Sequence, residues 1–328
     1  MSLAGRRFAW AAALGVGVLT GIVLLRKRRR RRAARQWTGW RRNGYSCLPH
    51  VSERSRQVAE AAKLRPTDVV VITFPKTGTT LLQQTCEQLR TGGDMSFSEI
   101  TERQPWLDFA WDCGQDIDAA QVAHPRLFKS HQLFSAINRG AKCLSMVRDP
   151  KAVLLSWFAF QKLKGRPLFV SLADANEYAR AGNFEGANIF GTNVWDFYVE
   201  LWEVRHEPNV LALCYETLVK DARSQLPAIA RFIGVPAGED LLQRVEAMTS
   251  KAFMLEHQEQ FDDHFIMEKG GEMGRAAKVL EAGSKVTPGH KDVLTAETLA
   301  WLDQNWKTKV TPRTGLATYE DLVKALVV

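Results

Sequence analysis

Residues 68–80 read Asp68-Val-Val-Val-Ile-Thr73 followed by Phe74-Pro75-Lys76-Thr77-Gly78-Thr79-Thr80. The first part is a short β-branched apolar run, the composition of a strand buried on both faces of a parallel sheet. In the second part, Gly78 allows a tight turn and a close approach of backbone to ligand. From Thr80 to Leu89 the apolar residues recur at helical spacing. A strand, a glycine loop and a helix start, in that order, predict an anion site. The amides at such a helix N-terminus lack partners, and the helix dipole favours negative charge there. Thr77, Thr79 and Thr80 add hydroxyls, and Lys76 adds a mobile positive charge. The segment is not the GxxxxGK[ST] loop of nucleoside triphosphatases, because it has one glycine and its lysine comes first.

The alternation of strand and helix continues. Lys142-Cys-Leu-Ser-Met-Val147 predicts a second buried strand, Pro150 sits at a helix start, and Lys151–Leu163 extends that helix. Asn209-Val-Leu-Ala-Leu-Cys-Tyr215 predicts a third strand, and Leu226–Ile233 is amphipathic. Further helices are expected over 296–306 and 318–326. The pattern predicts an α/β fold, a single domain with a central parallel sheet flanked by helices. Ligands of such folds bind at the carboxyl ends of strands. Those ends are Phe74-Pro75-Lys76, Arg148-Asp149 and Tyr215-Glu216, and each carries polar or charged side chains.

The N-terminus has a different character. Residues 8–25, FAWAAALGVGVLTGIVLL, carry no charge, and residues 26–32 read RKRRRRR. A helix over 8–25 nearly crosses a ~30 Å hydrocarbon core. The following arginine block is unlike a signal-peptide cleavage region. The expectation is one transmembrane helix ahead of the domain, with the heavier positive flank and the domain on the cytosolic side. Residues 1–32 are thus read as anchor and arginine-rich flank, 33–66 as a linker with a short helix near Ser52–Leu64, and 67–328 as the folded domain. The net charge of +8 is almost wholly this arginine run. The domain itself is near neutral, so no nucleic-acid partner is expected. The five cysteines show no CxxC spacing, which speaks against a disulfide framework or a zinc site.

Taken together, the motifs resemble those of the cytosolic-type sulfotransferases, which use 3′-phosphoadenosine 5′-phosphosulfate (PAPS). Thr73–Thr80 looks like that family's phosphosulfate loop. Val147-Arg148-Asp149-Pro150 through Ser156-Trp157 matches its second signature, an Arg and a later Ser that hold the donor's 3′ phosphate. Lys129-Ser130-His131 is similar to its Lys-Thr-His segment. The resemblance implies a P-loop-like phosphosulfate loop and a sulfuryl transfer to a small-molecule hydroxyl or amine. It implies His131 as general base, Lys76 at the leaving phosphate oxygen and Lys129 at the sulfuryl oxygens. Thr77, Gly78, Thr79 and Thr80 would fix the 5′ phosphate, and Arg148 and Ser156 the 3′ phosphate. No metal is required.

The adenine end departs from the family pattern. Leu81 stands where the family has a stacking Trp, and Thr249-Ser250 is followed by Lys251, with Phe253 further on. Ser250 remains a candidate for the 3′ phosphate. Tyr215 is read either as a contact to adenine or ribose or as a strand-end packing aromatic. The family's late Arg-Lys-Gly loop is replaced by Gly274–Lys285, where Arg275, Lys278 and Lys285 are the available cations. Trp106, Phe109, Trp111, Phe158 and Phe160 are candidates for an apolar acceptor site or for core, and His257–His264 for a mobile lid. The alternative function is a membrane-tethered, non-catalytic nucleotide-binding module on the same fold.

Overall fold

Val69–Ile72 (β1), Leu127–Ser130 (β2), Lys142–Val147 (β3) and Val210–Cys214 (β4) pair in parallel in the order β2-β1-β3-β4. They belong to a computed structural model that describes residues 51–137, 140–163, 173–180, 184, 193–270 and 293–326. In register, Val69 faces Leu127 and Lys142, Ile72 faces Ser130, and Val147 faces Cys214. All four β1 side chains are fully buried, as expected for a strand covered on both faces.

Alternate residues of the strands feed two cores. Val70, Ile72, Phe128, Cys143 and Val147 pack with Val153, Phe197, Leu302, Trp306 and Leu322. Val69, Val71, Leu127, Leu144 and Met146 pack with Leu82, Leu89, Leu226, Ile229 and Val245. Helices therefore cover both faces. The helix after β1, Thr79–Thr91, lies on one face and the helix after β3, Pro150–Leu163, on the other. The loops leaving β1 and β3 thus diverge between neighbouring strands, the switch point at which open α/β sheets bind ligands. At the opposite end, Arg126 donates to both oxygens of Asp68 (3.0 and 2.6 Å), a buried fork that joins the starts of β1 and β2.

The strand β2 is not evident from its sequence. Leu127-Phe128-Lys129-Ser130 is half polar, yet all four residues are buried. The expected helices appear as Ala222–Ile233, Ala296–Asn305 and Tyr319–Leu326. Upstream of β1, Ser52 caps a helix over Glu53–Ala61. Val51, Ala62 and Leu64 are buried, and Ser55 Oγ donates to the Asp108 carbonyl at 3.1 Å, so this stretch packs onto the sheet domain. The four described cysteines, Cys86, Cys113, Cys143 and Cys214, are buried free thiols.

The apolar stretch 8–25, the arginine run 26–32 and the loop Gly274–Lys285 lie outside the described residues. Among the described residues, no helix is long and apolar enough to cross a membrane.

Candidate active site

The phosphate loop takes its shape from two left-handed residues. Lys76 has φ 71° and Gly78 φ 110°. A lysine in this region is uncommon, and holding it there costs on the order of 1–3 kcal/mol. Two such residues, two apart, curl the loop amides into the concave form that binds anions. Thr77 donates its hydroxyl (2.7 Å) and its amide (3.2 Å) to the Phe74 carbonyl, which closes the turn from inside. The Thr73 and Thr79 hydroxyls meet at 2.6 Å and tie the end of β1 to the helix start. The helix ladder begins with the Leu82 amide on the Gly78 carbonyl, so the amides of Thr79, Thr80 and Leu81 precede it. Thr77 and Thr79 hydroxyls therefore serve the loop's own shape.

Next to it, β2 ends in Lys129-Ser130-His131. Pro105–Leu107 pairs along the outer edge of β2: the Lys129 amide donates to the Pro105 carbonyl (3.0 Å) and the Leu107 amide to the Lys129 carbonyl (2.9 Å). This lays the Trp106 indole beneath the Lys129 ammonium, 3.7 Å from ring centroid to Nζ, and edge-on to His131 at 5.1 Å. A cation over an indole is held at about 1–2 kcal/mol when desolvated, so a buried lysine is kept in place. His131 Nδ1 lies 2.8 Å from the Thr73 carbonyl. A carbonyl only accepts, so Nδ1 carries the hydrogen and the lone pair of the neutral ring is on Nε2.

One residue beside Lys129 and His131 is not evident from the sequence. Asp108 is buried and accepts from Trp106 Nε1 (2.9 Å) and Ser130 Oγ (3.1 Å). The Gln132 side chain and the His131 amide also donate to it, while burial pushes its carboxyl above the ordinary carboxylate range. Asp108 thus holds the turn that carries His131 and the indole that carries Lys129. The available signal was an acid inside the apolar run Trp106-Leu-Asp-Phe-Ala110. Asp108→Asn leaves one acceptor for these donors and is expected to lower kcat by roughly tenfold or more, with nucleotide affinity within about twofold. Steady-state kinetics beside calorimetry of nucleotide binding checks the split.

From β3, the Arg148 guanidinium reaches the loop, with Nη1 donating to the Lys76 carbonyl at 2.9 Å. It stacks on the Tyr215 ring at 4.3 Å, and its buried Nε has no hydrogen-bond partner among the described residues. Tyr215 is wedged between Arg148 and Gly78, since a Cβ at Gly78 would lie 2.8 Å from Tyr215 Cδ2. Tyr215 thus packs between the glycine loop and the Arg148 guanidinium. Ser156 is buried on the helix Pro150–Leu163. The Lys76 ammonium sits 4.2 Å over the Phe160 ring on the same helix.

The fold thus brings together Lys76, Thr77, Gly78, Thr79, Thr80, Lys129, His131, Arg148 and Tyr215 at the carboxyl end of the sheet. An anionic donor fits there: curled amides, two lysines and an arginine with a buried N–H that has no partner among the described residues. The Ser250 hydroxyl accepts from the Phe253 amide at 3.3 Å and caps the helix Lys251–Glu256. Leu81 packs with Met95, Phe97, Met254 and Phe261. Phe253 stacks on His257 at 4.0 Å. Segment 257–264 is anchored: Phe261 is buried, Gln260 donates to the Met95 and Phe97 carbonyls, and His264 Nε2 meets Ser98 Oγ at 2.7 Å. Of the candidate acceptor aromatics, Trp106 and Phe160 touch the site lysines. Phe109 packs behind Trp106, Phe158 is core against Tyr178, and Trp111 is half exposed beneath Arg54. Among the described residues, no group of three or more His, Cys, Asp or Glu side chains is placed to hold a metal ion.

A parallel α/β sheet with a glycine loop, two lysines, a histidine and an arginine at its carboxyl end suits an anionic nucleotide. The family model "Sulfotransferase domain" matches residues 66–311. The chain therefore belongs to the sulfotransferase family, a class of PAPS-dependent transferases. Human Sulfotransferase 4A1 is 31% identical over 205 residues, which span 58% of this chain and 67% of that one. Human Sulfotransferase 2A1 is 30% identical over 192 residues, 56% of this chain and 65% of that one. The chain thus matches about two thirds of the length of these relatives. Two solved structures share the fold. Retinol dehydratase with androsterone and the inactive cofactor PAP has 19% identity and a TM-score of 0.59, over 83% of this chain and 90% of that one. Mouse sulfotransferase SULT7A1 with PAP has 17% identity and a TM-score of 0.57, over 84% and 94%.

Proposed function

We propose that this protein moves the sulfuryl group of PAPS to a hydroxyl or amine of a small apolar acceptor, with His131 as general base. The observation that carries the reading is the His131–Thr73 hydrogen bond, which puts the basic lone pair on Nε2 at the edge shared by the phosphate loop and Lys129. Nε2 accepts the acceptor's proton as its oxygen or nitrogen attacks sulfur. The Lys129 ammonium neutralises the sulfuryl oxygens, and Lys76 the phosphate oxygen on which the leaving electron pair settles. The loop amides hold the 5′ phosphate, and the Arg148 fork, with Ser156, the 3′ phosphate. When bound, PAPS supplies the activated sulfuryl group.

An apolar acceptor is supported by Trp106 and Phe160 beside the two lysines. Relatives named 3-alpha-hydroxysteroid sulfotransferase and Amine sulfotransferase, both 29% identical, carry the two acceptor chemistries in their names. Residues 8–25 anchor the protein in a membrane with the domain in the cytosol. The test is radiolabelled PAPS with a panel of steroids, phenols and amines, beside calorimetry of PAP. Transfer of label is the expected result. PAP binding without transfer would leave only a non-catalytic module, and absence of binding would refute the reading. For topology, the domain in sealed microsomes is expected to be digested by added protease, and a protected domain would overturn the orientation.

A further inference from the structure

The Arg148 turn is held by side chains from elements far away in the chain. Tyr198, on the helix Val194–Val204, donates its hydroxyl to the Arg148 carbonyl and accepts the Arg148 amide at 3.3 Å. Glu216, on the helix Tyr215–Lys220, accepts the Asp149 amide on Oε1 at 2.9 Å. Its other oxygen, Oε2, accepts from the Tyr319 hydroxyl at 2.7 Å and from Cys214 Sγ at 3.0 Å. Tyr319 opens the last described helix, Tyr319–Leu326. The Tyr198 and Tyr319 rings lie 6.4 Å apart, and the Trp306 ring packs on both at 6.3 and 6.2 Å.

We infer that Tyr319 and Glu216 are positioning residues for the donor's 3′ phosphate, so that the C-terminal helix sets nucleotide affinity through the Arg148 backbone. The inference rests on the reading of Arg148 as the 3′-phosphate residue. Among the described residues, the guanidinium meets the Lys76 carbonyl and the Tyr215 face, and Nε has no hydrogen-bond partner. Its direction is therefore set by the backbone it grows from. That backbone is fixed at Arg148 by Tyr198 and at Asp149 by Glu216. Glu216 is in turn oriented by Tyr319, whose hydroxyl is the stronger of the two donors, beside the weak Cys214 thiol, that hold its second oxygen. Loss of that hydroxyl loosens the carboxylate, and the arginine then pays ordering entropy on binding.

Calorimetry of full-length protein with PAP and, separately, adenosine 5′-phosphate, which lacks the 3′ phosphate, tests this. Tyr319→Phe removes one hydroxyl and keeps the ring packing. It is expected to weaken PAP roughly fivefold to tenfold and leave adenosine 5′-phosphate within about twofold. Glu216→Gln, a second variant, is expected to follow the same pattern. In an Arg148→Ala background the Tyr319→Phe effect should vanish, because the two act in series. Unchanged PAP affinity in both variants overturns the inference. So does an equal loss for both nucleotides, or a loss that persists without Arg148, since either marks a merely structural role. If wild type itself does not prefer PAP over adenosine 5′-phosphate, the reading of Arg148 fails and the inference falls with it, a result distinct from the others.

Discussion

His131→Ala is expected to lower kcat by about 10²–10⁴, the usual worth of a general base, with PAP affinity within about twofold of wild type. The split follows from where the ring is tied. His131 bonds the end of β1 through Thr73 and is edge-on to Trp106, while the groups assigned to the phosphates are on the loop and on β3. Removing the ring leaves the loop closed by Thr77 and the Thr73–Thr79 pair. Single-turnover kinetics with radiolabelled PAPS, beside PAP calorimetry, measures both halves. Turnover near the wild-type rate would remove His131 from the role of base, and lost PAP binding would make it a structural residue.

Gly78→Ala should have the second large effect, and on the other function. At φ 110° an alanine is strained by on the order of 1–3 kcal/mol. Its Cβ would also lie 2.1 Å from Met146 Cε and 2.8 Å from Tyr215 Cδ2. Met146 ends in a flexible methyl but is fully buried against the neighbouring helices. The Tyr215 ring can yield only by moving from under Arg148. One methyl group therefore disturbs both anion sites together. The expected outcome is a lower melting temperature together with a loss of PAP affinity of at least roughly tenfold, from distortion of both phosphate sites. A variant that melts lower but binds PAP normally would show that Tyr215 does not transmit the strain to Arg148.

The legible parts of this protein are local in the chain. The β-branched run 68–73, the glycine loop and the helix after it follow one another within a few residues, and the structure has all three. The same holds for Lys142–Val147 with the helix from Pro150, and for the expected third strand, which runs Val210–Cys214 and hands Tyr215 to the helix that follows. Strand β2 was hidden because a buried parallel strand is normally apolar, and this one contains Lys129. The lysine is tolerated because Trp106, brought alongside by Pro105–Leu107, offers its indole face. Ser250 was read as a phosphate ligand from its neighbours in sequence, and the structure adds that its hydroxyl caps the helix Lys251–Glu256. Tyr215 was open between a nucleotide contact and packing, and the structure adds its packing between Gly78 and Arg148.

The strand–loop–helix from Asp68 to Leu89 was determined by sequence alone, with its fold class, its anion-binding character and the identity of its charged residues. Those properties depend on backbone preferences and side-chain types within one turn of chain. The tertiary structure alone decided which distant groups support them. Parallel strands join residues separated by whole crossovers, so Asp108 meets the His131 turn and Tyr319 meets Glu216 only once the sheet and its covering helices are assembled. The loop has the local pattern of an anion site, and the side chains behind it, invisible to any local pattern, hold His131 and Arg148 in place.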